Sequence, residues 1–299
     1  MKRMQHYIEY GLLQMVCFLL GLMPLKTVQV LAAAFGWFVY YVIPIRKKVA
    51  HDNIARSFPE KTKDEVDRIA KAAYVQFAKT VFEMIYMPHL SREDVEKIAV
   101  LENRDILDRI QKNGKGCVMV GGHFGNWEIM GSAFANHYPV TFVVGEQTNK
   151  MVDEVILKNR IDKGMKIVHQ KVALRGVLQA LKNNEFVALV SDQDAHETGA
   201  FVPFLWREAS TPKGPAMFAL RGGVPLIVGT CFRTPQDTFR IVVEEVSQPL
   251  LSGDADKDII NYTASYTAII ERHIRAHPDH WFWMHRRWKT QKPERERRL

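Results

Sequence analysis

Between residues 95 and 246 short apolar runs alternate with stretches of helical periodicity, and this alternation restricts the fold more than any other feature of the chain. Residues 117–120, 141–144, 186–190 and 224–230 are short and almost continuously apolar, as strands buried on both faces must be. Residues 126–134, 152–163, 174–182 and 215–220 have helical character and fall between them. The pattern predicts an α/β fold with a mixed, largely parallel sheet flanked by helices. Residues 239–245 follow Pro235-Gln236-Asp237 and set Ile241 and Val243 against Arg240, Val242 and Glu244, which predicts a late hairpin strand. Upstream, Val66, Ile69, Ala70, Ala73, Phe77, Val81 and Ile85 recur at helical spacing, so residues 63–86 form one long helix bracketed by Pro59 and Pro88. A final helix is expected over residues 258–276. The 299 residues suffice for one large domain, placed at 46–292, with an N-terminal helical appendage over residues 1–45. The charged stretch 293–299 is expected to be a disordered tail.

The appendage has an unusual composition. Only Gln14 is strongly polar between Gly11 and Met23, and no charge occurs between Lys26 and Arg46. A membrane span needs about 20 apolar residues, a length that residues 27–45 just reach. Trp37, Tyr40 and Tyr41 suit the boundary between lipid and water. Lys2 and Arg3 precede the run and Arg46, Lys47 and Lys48 follow it, an arrangement that suits a shallow helical hairpin with both ends on one side. One span plus one interfacial helix is the rival arrangement, and a pair of buried core helices is the plainest one. No disulfide pattern of a secreted chain follows, so an uncleaved membrane anchor is expected. The three cysteines, Cys17, Cys117 and Cys231, are far apart and exclude a CxxC zinc or redox motif. The net charge of +8 admits nucleic acid, anionic membrane or an acidic partner without choosing among them.

One segment carries the chemistry. Gly121-Gly122-His123-Phe124-Gly125-Asn126-Trp127-Glu128 follows an apolar strand and opens a helix. Ligands of open α/β sheets bind beyond the carboxyl ends of strands. The glycines allow a tight turn and close approach to the backbone, and the new helix offers free N–H groups near Gly125 and Asn126 that can face an oxyanion. His123 and Glu128 are five residues apart, which in one continuous helix would separate them by about 140°. They can meet only if His123 lies in the turn. A neutral histidine is the usual general base near neutral pH, and a carboxylate on its other nitrogen fixes the tautomer. The expected catalytic pair is therefore His123 with Glu128, with Gly122, Gly125 and Asn126 in support. No serine or cysteine sits beside the histidine, so a substrate hydroxyl is expected to be the nucleophile. No second histidine at metal-binding spacing accompanies His123, and no metal is expected.

The stretch Gly122 to Glu128 resembles the HxxxxE motif of the late acyltransferases of lipid A biosynthesis, the lauroyl/myristoyl type, within the lysophospholipid acyltransferase superfamily. The resemblance covers most of the chain. Asn53 with Phe58-Pro59, Arg160 with Gly164, Asp192-Gln193-Asp194, Phe201 to Phe204, Ser210-Thr211-Pro212, Gly214-Pro215-Ala216 and Trp283 to Lys289 all match elements of that family. What the resemblance implies is transfer of a fatty acyl group from acyl carrier protein, or sometimes acyl-CoA, to a hydroxyl of a membrane glycolipid. In lipid A the acceptor is the 3-hydroxyl of a chain already attached to the glucosamine disaccharide. No metal or redox cofactor is implied. The implied location is the bacterial inner membrane, with the active domain on the cytoplasmic face. The same family includes enzymes that acylate mannosylated phosphatidylinositol. A non-catalytic membrane-binding relative is a third possibility, against which the intact His123, Glu128 and Arg160 argue.

Secondary candidates each have two readings. Arg160 is a surface ion pair, or it contacts substrate or supports the catalytic carboxylate. Asp192 and Asp194 follow a strand; Asp192 is expected to order the pocket loop by hydrogen bonds, while Asp194 is open between that role and metal binding. Lys213 precedes a helix start, where a phosphate site and capping by Ser210 or Thr211 compete. Arg286, Arg287, Trp288 and Lys289 interleave base and aromatic, but no nucleic-acid-binding motif accompanies them. Lipid headgroups or an acidic carrier protein are the expected partners of that basic face, and nucleic acid is not.

Overall fold

The computed structural model describes residues 2–43 and 45–292, so the tail expected at 293–299 lies outside the described residues. Four helices come first: α1 (Lys2–Gly21), α2 (Leu25–Val42), α3 (Lys47–Ser57) and α4 (Lys63–Tyr86). They are followed by α5 (Arg92–Ile98), β1 (Ala99–Leu101), α6 (Arg104–Lys112), β2 (Cys117–Gly121), α7 (Trp127–Ala135), β3 (Val140–Val144), α8 (Lys150–Asp162) and β4 (Lys166–His169). Then come α9 (Ala173–Lys182), β5 (Phe186–Val190), β6 (Ala200–Phe204), β7 (Arg207–Thr211), α10 (Gly214–Gly222), β8 (Leu226–Arg233), β9 (Phe239–Glu245) and α11 (Ala255–Ala276).

Seven strands form one sheet in the order β1-β9-β8-β2-β5-β3-β4. Every pairing in it is parallel except the β8–β9 hairpin. The mixed, largely parallel α/β sheet expected from the sequence is thus present. Strand β2 is central and wholly buried. Its pleat sends Val118 and Val120 into a core with Val177, Leu181 and Phe218, and sends Cys117 and Met119 into a second core with Ile129, Met130 and Phe134. A strand covered on both faces must be apolar at every position, which is why this one is legible as a continuous run. Helix α4 has the bounds its periodicity predicts. It starts at a capping box, in which the Glu65 N–H donates to Thr62 Oγ1 (3.3 Å) and the Thr62 N–H donates to Glu65 Oε2 (2.8 Å).

Other elements escape the sequence reading. Strands β1 and β4 are short and lie at the two edges of the sheet, where no continuous apolar run is required. The stretch from Phe201 to Phe204, not read as a strand, belongs to one arm of a separate hairpin, β6–β7. Its turn is Leu205-Trp206, both at positive φ (48° and 68°), as a two-residue hairpin turn demands. Neither residue is the Asn or Gly that normally announces such a turn. Leu205 is held there by burial and by donating its N–H to Glu271 Oε2 (2.7 Å).

Helices α1 and α2 are consecutive, with Pro24 as the N-cap of α2, and α1 packs on α4 and α8. One face of α2, comprising Val28, Gln29, Ala32, Gly36 and Tyr40, is buried and lies along α4. The rest exposes Val30, Leu31, Phe35, Trp37, Phe38, Tyr41 and Val42, and α1 exposes Ile8, Leu12, Met15 and Phe18. By length and composition α2 is able to cross a membrane. Tyr40 is not among the interfacial aromatics expected there. It is buried, and its hydroxyl donates to Asp67. The close approach of α2 to α4 depends on Gly36, where an added Cβ would sit 2.7 Å from the Val75 Cα. Gly36→Leu should therefore cost about 1–3 kcal/mol through overpacking. Gly11→Leu, with nothing within 4 Å of the new Cβ and a glycine removed from a helix interior, should not lower the thermal unfolding midpoint of the detergent-solubilised protein. Equal midpoints for the two variants would contradict this packing.

Candidate active site

The site forms where β2 and β5 end side by side. Gly121 is in register with Val190, and the Ser191 N–H donates to Gly121 O (3.0 Å), so His123 and Asp192 emerge next to each other. Asp192 Oδ2 accepts the His123 backbone N–H (2.7 Å), and Oδ1 lies 2.7 Å from His123 Nδ1. The Trp281 indole N–H donates to the same Oδ2 (2.7 Å). Burial alone would push the Asp192 carboxyl up, but the His123 charge, these hydrogen bonds and the indole hold it below the usual carboxylate range. The carboxylate is only 2% exposed while the imidazole is 25% exposed, so the acid is sealed and the base is reachable. With Nδ1 on the carboxylate, Nε2 is the nitrogen free to take a proton. The Gln193 side-chain nitrogen lies 3.3 Å from both ring nitrogens, and the Trp127 ring stands edge-on at 4.9 Å.

The carboxylate on the imidazole is thus Asp192 and not Glu128, as the spacing within the motif had suggested. Glu128 sits in the first turn of α7, and its buried side chain is directed at α8. There Arg160 grips it with two bonds, Nε to Oε2 (3.0 Å) and Nη2 to Oε1 (2.5 Å), and the Trp127 indole N–H adds a third to Oε1 (3.2 Å). Burial works against the Arg160 charge, and the Glu128 carboxylate more than offsets it. Of the two readings of Arg160, support of this carboxylate is the one the geometry displays. Among the described residues no hydrogen bond joins Glu128 to His123.

The turn itself is anchored from both sides. Gly122 faces Asp192, and a Cβ there would stand 3.1 Å from Oδ2. Gly125 is at φ 58° and its added Cβ would fall 1.7 Å from Cys231 O, so no other residue fits. Its N–H is already engaged by His280 O (2.8 Å) and is not free to face an oxyanion, which corrects that expectation. The Phe282 N–H donates to His123 O (3.1 Å), stitching the turn to the C-terminal segment. Asn126 caps α7, its Oδ1 accepting from the N–H groups of Glu128 (3.1 Å) and Ile129 (2.9 Å). Its Nδ2 donates to Glu83 Oε2 (2.7 Å), and Glu83 is in turn held bidentately by Arg233 at 2.6 Å on each oxygen. Gln29 of α2 reaches the same carboxylate (2.9 Å). Glu83, Arg233, Gln193 and Trp281 are residues the sequence reading did not single out for the site. Gln193 alone carried a signal, its place between Asp192 and Asp194.

The remaining candidates lie elsewhere. Asp194 Oδ2 accepts from the Thr290 hydroxyl (2.8 Å). Among the described residues no group of three or more His, Cys, Asp or Glu is arranged to hold a metal ion. Lys213 is exposed at the start of α10, where neither Ser210 nor Thr211 caps the helix: their hydroxyls donate to His196 O and Ala209 O. Arg286 is exposed, but Arg287 is buried and donates to Ser210 O and Thr211 Oγ1 (2.5 Å each), which removes it from the expected basic docking face. Burial brings the Arg287 guanidinium down to about 10.

Both partners of the Glu83–Arg233 pair are buried to within 2% of their side-chain surface. Arg233→Met would strand the carboxylate and should cost about 3–5 kcal/mol, whereas Glu83→Met combined with Arg233→Met should cost less than the single change. Thermal unfolding of both variants checks the order, and a double variant less stable than the single one would contradict it.

The sequence model of the bacterial lipid A biosynthesis acyltransferase family matches residues 2–290. The chain is 25% identical to the lipid A biosynthesis palmitoleoyltransferase of Escherichia coli K12, over 82% of this chain and 79% of that protein. It is 24% identical to the lipid A biosynthesis lauroyltransferase of the same organism, over 93% of this chain and 90% of that protein. It is also 24% identical to the phosphatidylinositol mannoside acyltransferase of Mycobacterium tuberculosis H37Rv, over 89% and 90% of the two chains. With a family match over nearly its whole length, and a histidine–carboxylate pair at the strand ends where that family's motif falls, the chain belongs to the bacterial lipid A biosynthesis acyltransferase family and is an acyltransferase.

Proposed function

We propose that this chain moves a fatty acyl group from a thioester, carried by acyl carrier protein or coenzyme A, to a hydroxyl of a lipid A precursor. The observation that carries the reading is the His123–Asp192 pair, with a sealed carboxylate, a reachable Nε2 and no nucleophilic side chain bonded to the ring. Cys117 and Cys231 are both buried, and burial pushes the Cys231 thiol up to about 12, which makes either a poor thiolate. The acceptor hydroxyl is then the attacking group. His123 Nε2 takes its proton as the oxygen adds to the thioester carbonyl. Asp192 holds the Nδ1 proton and stabilises the imidazolium. Collapse of the tetrahedral adduct forms the ester, breaks the carbon–sulfur bond and returns the proton to the leaving thiolate. The Gln193 amide beside the ring supplies the donor for the oxyanion. Glu128 and Arg160 fix the start of α7 and the loop before it. The exposed apolar faces of α1 and α2 support placing residues 1–45 in the cytoplasmic face of the bacterial inner membrane, with residues 46–292 as the acyltransferase domain. The mannoside acyltransferase relative keeps a phosphatidylinositol mannoside as the second acceptor to assay.

The test is turnover of labelled acyl carrier protein with lipid A precursor by the detergent-solubilised full-length protein. His123→Ala should lose about 10²–10⁴-fold in kcat, the usual contribution of a general base. Asp192→Asn should lose a similar factor, and the double variant no more than His123→Ala alone, because the two act as a unit. Additive losses, or an acyl-protein adduct trapped during turnover, would contradict the mechanism.

A further inference from the structure

A second cluster of charge lies on α3, β7 and the C-terminal segment. Helix α3, the start of β7 and the C-terminal segment border a shallow, open pocket of about 270 Å³. Arg56, Arg207, Arg286 and Lys289 line it together with Asn53 and Trp288. Asp52 is the one carboxylate in its wall. Among the described residues none of the four cations has a carboxylate within ion-pair distance. Elsewhere in the fold Arg160 and Arg233 are clamped by acids, while the buried Arg287 is held by Ser210 O and Thr211 Oγ1.

Arg207 is the most constrained of the four. Its guanidinium lies 3.4 Å from the centre of the Trp288 ring. One Nη2 contact goes to the Ser57 hydroxyl (3.2 Å), while its Nε and the Trp288 indole nitrogen are buried without any hydrogen-bond partner. Burial, and then the charge of Arg56, bring Arg207 down to about 10. Crowded cations with unused donors are costly unless an anion joins them. Planar guanidinium forks on one pocket match the oxygens of a phosphate, whose charge of about −1.5 to −2 balances several cations at once.

The pocket is also mechanically joined to the active site. Asn53 Nδ2 donates to Trp283 O (3.0 Å) and His285 O (2.9 Å). The same segment begins at Trp281, whose indole holds Asp192, and runs on to Arg286 and Lys289 in the pocket wall.

We infer that Arg56, Arg207, Arg286 and Lys289 form a phosphate-binding subsite that holds a phosphate of one of the two substrates. The inference rests on the acyl-transfer reading for the identity of those substrates, but phosphate binding itself does not require turnover. Two sources share this chemistry: the phosphate in the pantetheine arm of the thioester donor, and a phosphate on the glycolipid acceptor.

The experiment has a binding arm and a kinetic arm, both on the full-length protein in detergent. Inorganic phosphate is titrated and followed by ³¹P line broadening. Saturable binding is expected, and it should be lost in Arg56→Gln combined with Arg286→Gln. Arg286→Gln combined with Lys289→Gln changes only exposed side chains and serves as the variant that folds. In the kinetic arm that second variant should raise KM about tenfold or more, with kcat within about twofold, for whichever substrate brings the phosphate. An acyl N-acetylcysteamine donor, which lacks phosphate, and a dephosphorylated acceptor separate the sources: the KM effect disappears when the phosphate-bearing partner is replaced. Phosphate binding unaffected by the substitutions, or a KM rise of equal size with phosphate-free substrates, would overturn the subsite. A chain that binds phosphate through these residues yet transfers no acyl group would support the subsite and overturn the acyl-transfer reading instead.

Discussion

A buried carboxylate keeps its charge only if hydrogen bonds replace the water it has lost, and the arrangement of this site follows from meeting that requirement at Asp192. The side chain draws its donors from two separate places: the backbone and ring of His123 after β2, and the indole of Trp281 in the C-terminal segment. Those donors converge because β2 and β5 run parallel and end in register. The sheet thus fixes the ends, and the carboxylate fixes the loops that leave them. One consequence is a defined tautomer for His123, since the nitrogen on Asp192 carries the proton and the other is left as the base.

Two further buried ion pairs stiffen the same turn. Removing charges from water is expensive, and a pair recovers that cost only when its geometry is close and its remaining lone pairs are occupied. Glu128–Arg160 and Glu83–Arg233 both satisfy this with bidentate contacts. Asn126 connects them, because its Oδ1 caps the helix that carries Glu128 and its Nδ2 bonds Glu83. Through Gln29 the second pair reaches α2, so that helix is coupled to the catalytic turn.

How much of this was legible depends on whether the determining interaction is local. Strands β2 and β5 and helix α4 were legible because their burial forces a pattern on consecutive residues. The β6–β7 hairpin was not, since Leu205 and Trp206 adopt positive φ under tertiary constraint and without turn chemistry. In the site, the glycine turn and His123 could be read from the order strand, turn, helix. The partner of His123 could not, because Asp192 lies 69 residues away and is delivered by strand register. Glu128 is near in sequence yet turns to Arg160, as the capped helix start directs it. Neighbouring charges are equally opaque: Arg286 and Arg287 look alike in sequence, but one is exposed and the other is buried against β7.

The claim on which the rest hangs is that Asp192, and not Glu128, holds the imidazole of His123. Nitrogen NMR of histidine-labelled full-length protein, with His123 assigned by substitution, reads this directly. The account predicts a protonated, hydrogen-bonded Nδ1 on His123 that persists in Glu128→Gln and is lost in Asp192→Asn. Loss of that signal in Glu128→Gln with retention in Asp192→Asn would contradict it.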